Sequence, residues 1–423
     1  MRTTYITRSI TVVAALSLSA CSTVGPDYLT PKLDVPDRWS RMEQAAAAES
    51  PAAPVAELGR WWQVFADPLL SQLVDEALRA SPDLRSATAK LREARARRVV
   101  SAAGLFPQVT ASGSASRSES SKETGSGASR ELFSVGFDAS WELDLFGGVR
   151  RGVEAAAADL AAVEASLHDS QVTLVAEVAR SYTEVRTLQT RLGIARTNLN
   201  SQTETLQLTQ WRAQAGLVSS LDVAQARTNQ EQTRAQIPSL ETSLAEAEHR
   251  LDVLLGKTPG TLHPRLAAGG SLPTTTEQIA VGIPADTLRQ RPDVRAAERQ
   301  LAAATARVGV AQAARYPSFK LSGSIGLEAL TVGALGNGAT SSLLAGITAP
   351  IFNAGRLSSQ VEIQDALREQ AQVAYEKTVL GALQDVENAL VALRSNRERS
   401  AALAQAAASA QTAEQLARQR YSA

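Results

Sequence analysis

Beyond its first twenty residues the 423-residue chain has no apolar run approaching the ~20 residues that a membrane-spanning helix needs. Sulfur is scarce too, with one cysteine and two methionines. A lone thiol excludes any disulfide within the chain, and the soft ligands that a copper or silver relay would use are too few for one. The three histidines, His168, His249 and His263, are scattered, and no phosphate-cradling loop of the Walker type occurs. No catalytic set, metal site or cofactor is therefore expected, and the chain does not read as an enzyme. An excess of one charge is also lacking: Lys plus Arg and Asp plus Glu stand at 43 each, so no basic field calls for nucleic acid. Proline is absent between Pro107 and Pro238, which leaves room for helix far longer than usual.

What fills that proline-free interval is a strand running into a long helix. From Phe133 to Leu145 the side chains alternate: Phe133, Val135, Phe137, Ala139, Trp141, Leu143 and Leu145 on one side, Ser134, Gly136, Asp138, Ser140, Glu142 and Asp144 on the other. Period two with one apolar and one wet face is a strand signature, and about 13 residues exceed the roughly 9–11 of a tilted membrane strand. Val135, Phe137, Ala139 and Trp141 are the candidate lipid-facing residues. A soluble sandwich edge would show the same alternation. After Phe146-Gly147-Gly148 the pattern changes to a helix from Arg150 to Ala215, on the order of 100 Å at 1.5 Å per residue. Its stripe reads Leu160, Val163, Leu167, Leu174, Val178, Tyr182, Val185, Leu188, Leu192, Leu199 and Leu206. The mean step is about 3.5, the coiled-coil period, which a dimeric coiled coil would also satisfy.

The first twenty residues read as a signal peptide, with Arg2 and Arg8 before the short apolar core Ile10–Leu18. Leu18-Ser19-Ala20-Cys21 resembles a bacterial lipobox, making Cys21 the candidate lipidation site, and Ser22 favours the outer membrane. Acyl chains add membrane affinity by methylene burial. Residues 21–58, rich in Pro and Ala, read as an extended tether.

The remainder is duplicated. Leu78-Arg79-Ala80-Ser81-Pro82-Asp83-Leu84-Arg85 matches Leu288-Arg289-Gln290-Arg291-Pro292-Asp293-Val294-Arg295, and the register continues through Pro107 with Pro317 and Ser112 with Ser322. Each copy reads helix, strand, polar loop, strand, long helix. In copy one these are a helix over Leu69–Ala103, strands over Pro107–Arg117 and Phe133–Leu145, and the rod. In copy two they are strands over Phe319–Leu327 and Leu343–Phe352, the latter with Pro350 near its end, and a helix from Arg356 onward. The expected division is repeat 1 over 59–256, a linker over 257–284 and repeat 2 over 285–423. In copy one the rod turns at Ala215–Ser220, where Gly216 suits a left-handed C-terminal cap and Ser219 or Ser220 can cap a returning helix, Leu221–Leu255, with a kink at Pro238. Copy two stops at Ala423, where copy one continues with Gly216, so a returning helix of about forty residues is expected to be missing at the C-terminus.

A membrane protein without membrane helices must close its strands into a barrel, since lipid satisfies no open backbone group. Four strands cannot close one, about eight being the practical minimum, so the fold expected is an α+β membrane protein that completes its barrel by oligomerisation. At this point the chain resembles the TolC-like outer-membrane efflux proteins, in particular the lipoprotein branch serving resistance-nodulation-division (RND) pumps. The resemblance is carried by Cys21, Gly25-Pro26-Asp27-Tyr28 with Pro31 and Pro36, Trp61-Trp62 with Phe65, Asp67-Pro68 and Leu70, and Trp141-Glu142-Leu143-Asp144-Leu145-Phe146-Gly147. Ala215-Gly216-Leu217, Arg291-Pro292-Asp293-Val294 with Ala297-Glu298, and Pro350-Ile351-Phe352-Asn353-Ala354-Gly355 complete it.

What the resemblance implies is a homotrimer whose twelve-stranded barrel in outer-membrane lipid continues as a periplasmic α-helical barrel of coiled-coil helices. It would be a passive exit duct for small molecules, docked to a periplasmic adaptor (membrane fusion) protein and an inner-membrane RND pump. The resemblance also implies that Gly216, Leu217, Val218 and Ser219 form the adaptor-contacting tip, and that Asp222 and Tyr421 belong to a periplasmic gate. Asp222 reads equally as a first-turn acid favoured by the helix dipole. A type I protein-secretion duct shares the fold, and the lipobox argues against it. A lipid-anchored rod without a channel leaves the amphipathic strands unexplained.

Overall fold

The computed structural model describes residues 23–32, 35–36, 39, 59–123, 125, 127–273, 288 and 290–422. The chain forms two compact units, one of residues 1–44, 91–165 and 288–423, the other of 45–90 and 166–287. Both units draw on segments separated in sequence, so the units divide the chain differently from the repeats. Among the described residues no helix is long and apolar enough to cross a membrane.

In chain order the elements are α1 (Pro68–Ala80), α2 (Pro82–Ala103), β1 (Gln108–Glu119), β2 (Ser129–Leu143), α3 (Gly148–Gln214), α4 (Ser220–Leu254), α5 (His263–Leu266), α6 (Pro292–Ala313), β3 (Ser318–Ala329), β4 (Ala339–Thr348) and α7 (Arg356–Ser422). Single 3₁₀ turns occupy Trp61–Phe65 and Val332–Asn337. Helix, two strands and a long helix thus occur twice, as the duplication requires.

Several boundaries differ from the sequence expectation, each for a local reason. The helix expected over Leu69–Ala103 is two helices, because Ser81 precedes Pro82 and takes an extended ψ of 129°, as residues before proline do. β2 begins at Ser129 and stops at Leu143, short of Leu145. Asp144 turns instead to accept the N–H groups of Val149 at 3.1 Å and Arg150 at 2.8 Å, capping the start of α3. β4 spans Ala339–Thr348 and not Leu343–Phe352. The 3₁₀ turn delivers the chain to the sheet earlier, and Pro350, which has no N–H to give a ladder, lies beyond the strand. Pro238 sits within α4, which runs unbroken from Ser220 to Leu254. Residues 257–273, expected as plain linker, carry α5 and bury Leu262 and Leu266 completely.

In the unit containing residues 166–287, the α3 stripe lines the core as its period demands. Leu174, Val178, Tyr182, Val185 and Leu188 pack with Leu70, Leu73, Val74, Leu251, Leu255, Leu262 and Leu266. Asp67 caps α1 by accepting from the N–H groups of Leu69 (2.9 Å) and Leu70 (3.0 Å). Its second carboxylate oxygen accepts the Tyr182 hydroxyl at 2.7 Å, and that hydroxyl accepts Arg186 Nε at 3.1 Å. Asp67-Pro68 is therefore a helix start tied to the rod. Asp252, fully buried, accepts from Gly260 N (2.7 Å) and Leu262 N (2.9 Å) and shapes the turn into α5.

In the other unit α6 packs along α7, and its small residues Ala302, Ala303, Ala306 and Gly309 are buried, Gly309 against Arg151. Leu288, Val294, Leu301, Tyr375, Val379 and Ala382 form a core cluster there. Arg291, just before Pro292, pairs with Asp293 at 2.7 Å and with Asp385 of α7 at 3.1 Å. Arg291-Pro292-Asp293 thus starts α6 and fastens it to α7. The four strands form one antiparallel sheet in the order β1-β2-β3-β4, which leaves β1 and β4 as open edges.

Candidate membrane face, helical tip and anchored strap

The sheet register aligns the alternating residues of all four strands. Ala111 faces Phe137, Phe137 faces Ile325 and Ile325 faces Ser341; Val109, Ala139, Gly323 and Leu343 make the next row, and Trp141, Leu321 and Ala345 the one beyond. One face is accordingly an apolar band, with Phe137 57%, Ile325 65% and Leu343 80% exposed. Val135, Phe137, Ala139 and Trp141 all lie on it. The opposite face carries Thr110, Ser112, Ser114, Ser134, Asp138, Lys320, Ser322, Ser324 and Ser342. Hydroxyls there bond across strands: Ser112 donates to Asp138 at 2.9 Å, and the pairs Ser114–Ser134 and Ser324–Ser342 meet at 2.8 and 2.7 Å. A single sheet with one bare apolar face and one hydrogen-bonded polar face matches a barrel wall with lipid outside and water inside.

The end of the sheet next to the helices is aromatic. Trp141 donates its indole N–H to the Leu105 carbonyl at 3.1 Å, and Phe146 stacks on Tyr316 at 4.7 Å. Phe106 and Phe352 are exposed nearby in sequence. Amphipathic rings at a strand end form the interfacial girdle of membrane barrels. At the middle of the β2–β3 pair, Gly136 faces Gly326. A Cβ on Gly326 would meet the Val135 carbonyl oxygen at 2.7 Å, so the two backbones approach too closely for a side chain.

The turn between α3 and α4 is closed on both sides by its own backbone. Gly216 has φ +76°, its N–H reaches the Ala213 carbonyl, and the Leu217 N–H reaches that of Arg212, each at 2.9 Å. This is a Schellman cap, whose left-handed residue favours glycine. Ser219 then caps α4: Asp222 accepts from Ser219 N at 2.9 Å and from Ser219 Oγ at 2.7 Å, and Asp222 N donates back to Ser219 Oγ at 3.4 Å. These Ser219 hydrogen bonds hold the Asp222 carboxyl below its usual range. Leu217 and Leu221 stand exposed beside the turn, and no atom lies near where a Gly216 side chain would project. Tyr421, the other gate candidate, lies in the last turn of α7. Cys21 lies outside the described residues.

Sequence reasoning overlooked Arg151. Its buried guanidinium seizes the segment Thr23–Thr30: Nε donates to the Val24 carbonyl (3.1 Å), and Nη2 donates to the Gly25 carbonyl (3.2 Å) and to Asp27 (2.7 Å). Nη1 donates to Glu154 at 2.8 Å. Burial would lower the Arg151 pKa, but the bonds and charges of Glu154 and Asp27 outweigh it and hold the pKa raised. Further along, the Tyr28 hydroxyl and the Thr30 hydroxyl both donate to Glu298, at 3.1 and 3.2 Å, and Arg299 lies over the Tyr28 ring. Burial, opposed by Thr30 and supported by Glu298, pushes the Tyr28 phenol up to about 12. Gly25-Pro26-Asp27-Tyr28 is thus a strap bonded to the starts of α3 and the middle of α6. In sequence Arg150-Arg151 is an unremarked basic pair, and only the fold tells the buried one from the exposed one. His263 also has a partner, its Nδ1 2.8 Å from the buried Glu248 carboxylate. Among the described residues no His, Cys, Asp and Glu cluster suited to a metal ion occurs.

A family model described as outer membrane efflux protein matches residues 73–257 and 283–423. The chain is 35% identical to nodulation protein T of Rhizobium leguminosarum bv. trifolii over 92% of this chain and 82% of that protein. To the pyoverdine export outer membrane protein OpmQ of Pseudomonas putida it is 34% identical, over 97% of this chain and 87% of the relative. The solved outer-membrane channel OprN superposes with a TM-score of 0.79 at 36% identity, covering 89% of this chain and 84% of that one.

Proposed function

Because the chain belongs to the outer membrane efflux protein family and so resides in the outer membrane, we propose that it is the exit duct of a tripartite RND-type pump. In this reading three copies close a twelve-stranded barrel, and the long helices continue the passage into the periplasm. Small molecules leave passively through it, driven by an inner-membrane pump acting through a periplasmic adaptor. The observation that carries the reading is the sheet: an apolar band in register across four strands, backed by a hydroxyl-lined face, with both edges unpaired. Such a sheet is stable in lipid only when its edges are joined into a ring.

The hairpin turn Gly216-Leu217-Val218-Ser219 is the adaptor contact, since its polar backbone groups are satisfied internally while Leu217 is left for a partner. Asp222 keeps a capping role in the single chain, and in the trimer it works with Tyr421 in the gate. Cys21 carries the acyl anchor, and the strap holds the segment that follows it against the channel. Planar-bilayer recording from the purified oligomer is the test, with steady single-channel conductance expected. The face assignment is checked by Phe137→Arg, which at the bilayer midplane destabilises the inserted barrel by roughly 2–4 kcal/mol, while Ser140→Arg on the wet face is mild. Absence of conductance, or equal tolerance of both variants in the membrane fraction, overturns the reading.

A further inference from the structure

The two strand connections at the end of the sheet away from the helices differ in chemistry. The β1–β2 connection is polar: Lys122 and Glu123 lie in it, and Arg117, Glu119, Arg130 and Glu131 flank it. The β3–β4 connection has no charge, and none occurs between Glu328 and Arg356. It begins with Leu330 and Val332, 55% and 63% exposed, and closes in the 3₁₀ turn Val332–Asn337. A turn that merely joined β3 to β4 would stay beside those two strands, whereas this one leans back over the sheet as far as β2. Exposure along β3 tells which face it leans on. Glu328, on the hydroxyl face, is exposed, while Leu327 and Ala329 on the apolar face are half-buried. Phe133, paired with Ala329, is half-buried as well, although Phe137 on the same face is exposed. The apolar band is therefore bare at its middle and sheltered at its outer end.

Length sets the level of this end in a membrane. The β2–β3 pairing runs from Leu143–Phe319, next to the helices, to Phe133–Ala329. At ~3.4 Å per residue and a tilt of about 40°, that stretch climbs roughly 26 Å, against about 25 Å for the apolar band of membrane barrels. Ala329 thus lies where acyl chains meet headgroups, and the uncharged turn starts beside it. The turn closes its own backbone groups, as lipid contact requires. Ala334 N–H donates to the Thr331 carbonyl and Gly338 N–H to that of Leu335, each at 3.1 Å, and Glu328 N–H donates to the Gly338 carbonyl at 2.8 Å. No atom lies near where a side chain on Gly333 or Gly336 would project, so the outer side of the turn is bare. Exposed apolar patches of this kind mark contacts with membranes or partners. We propose that the 3₁₀ turn Val332–Asn337 is a lipid-dipping foot, which folds back over the apolar face and seats Val332 among the acyl chains of the outer leaflet. The occupant is lipid and not a protein, because the turn continues the lipid-facing band with no charged group between them. The proposal rests on the barrel reading above and adds a second lipid contact to it.

The test places an environment-sensitive thiol-reactive fluorophore on three single variants of the full chain, Val332→Cys, Ser121→Cys in the β1–β2 connection and Phe137→Cys in the middle of the band. The wild-type chain, treated in parallel, is the blank for native Cys21. Each labelled oligomer is reconstituted into phosphatidylcholine vesicles, with quenching read from a nitroxide near the head of a lipid acyl chain and from iodide in the water. The expected result is lipid quenching at Val332→Cys several-fold above that at Ser121→Cys and comparable with Phe137→Cys, and iodide quenching in the reverse order. Val332→Cys quenched by iodide as strongly as Ser121→Cys, while Phe137→Cys is quenched from lipid, puts the turn in water and overturns the foot. A Val332→Cys label shielded from both quenchers places the turn against protein, and one that also lowers single-channel conductance places it over the channel mouth; either overturns the proposal. Iodide quenching at Phe137→Cys defeats the barrel reading itself, a distinguishable failure.

Discussion

Replacing Arg151 with methionine removes the clamp on the strap while keeping a side chain of similar reach along α3, so apolar packing of the arginine stem is retained. Lost are the bonds to the Val24 and Gly25 carbonyls and the ion pair with Asp27. A bond from a charged donor contributes about 1.5–3 kcal/mol, and the two carbonyl bonds are taken at the low end of that range. The Asp27 side chain is 84% exposed, so its pair is discounted to about 0–1 kcal/mol for solvent screening. Glu154 is freed into solvent and leaves no trapped charge, its side chain being 45% exposed. The sum is about 3 kcal/mol against opening of the strap, or about a hundredfold in its opening equilibrium. Amide hydrogen exchange reads this directly, because local opening sets the protection of the Val24 N–H, which donates to the Phe146 carbonyl at 3.1 Å. Protection of Val24 is expected to fall about a hundredfold at ~3 kcal/mol, with the sheet amides of β2 unchanged. Unaltered exchange at Val24 would refute the clamp, and an equal loss throughout β2 would show that Arg151 supports the unit and not the strap.

Gly326→Val drives a side chain into the Val135 carbonyl and is expected to destabilise the β2–β3 pair by about 1–3 kcal/mol. Gly333→Val, with open space around it, serves as the mild control in urea denaturation. Gly216→Ala imposes a left-handed conformation on a residue with a Cβ, costing about 1–2 kcal/mol, with faster exchange confined to the α3–α4 turn; Gly216→Asn recovers part of it. For Asp222 the folded pKa lies below the ordinary 3.8, so its capping contribution is present above that value and is lost as pH falls through the folded pKa. The protection factor of the amides at the start of α4, which removes the intrinsic pH dependence of exchange, is therefore constant from pH 8 to 5 and falls below about pH 4 in the wild type only, not in Asp222→Asn.

The duplication, the two-faced strand and the length of α3 were legible in the sequence because each depends on local repetition. A period of two or of about 3.5 persists wherever the chain lies, and Leu174, Val178, Tyr182 and Val185 are buried as that period requires. Gly216 and Ser219 were legible for a related reason: a helix end leaves backbone groups that neighbouring residues must satisfy. Strand limits were less so, since Leu143 ends β2 only because Asp144 is drawn to the first amides of α3, and β4 ends before Pro350 where pairing fails. The strap was invisible. Arg151 lies more than a hundred positions from Val24, Gly25 and Asp27, and no periodicity links an arginine on a helix to two carbonyls and a carboxylate of an irregular segment. That link arises only when the fold removes the guanidinium from water and leaves those oxygens as its partners. Likewise the sequence could supply an amphipathic strand, but hydrogen bonding between strands decided which apolar residues share a row and which two edges remain open.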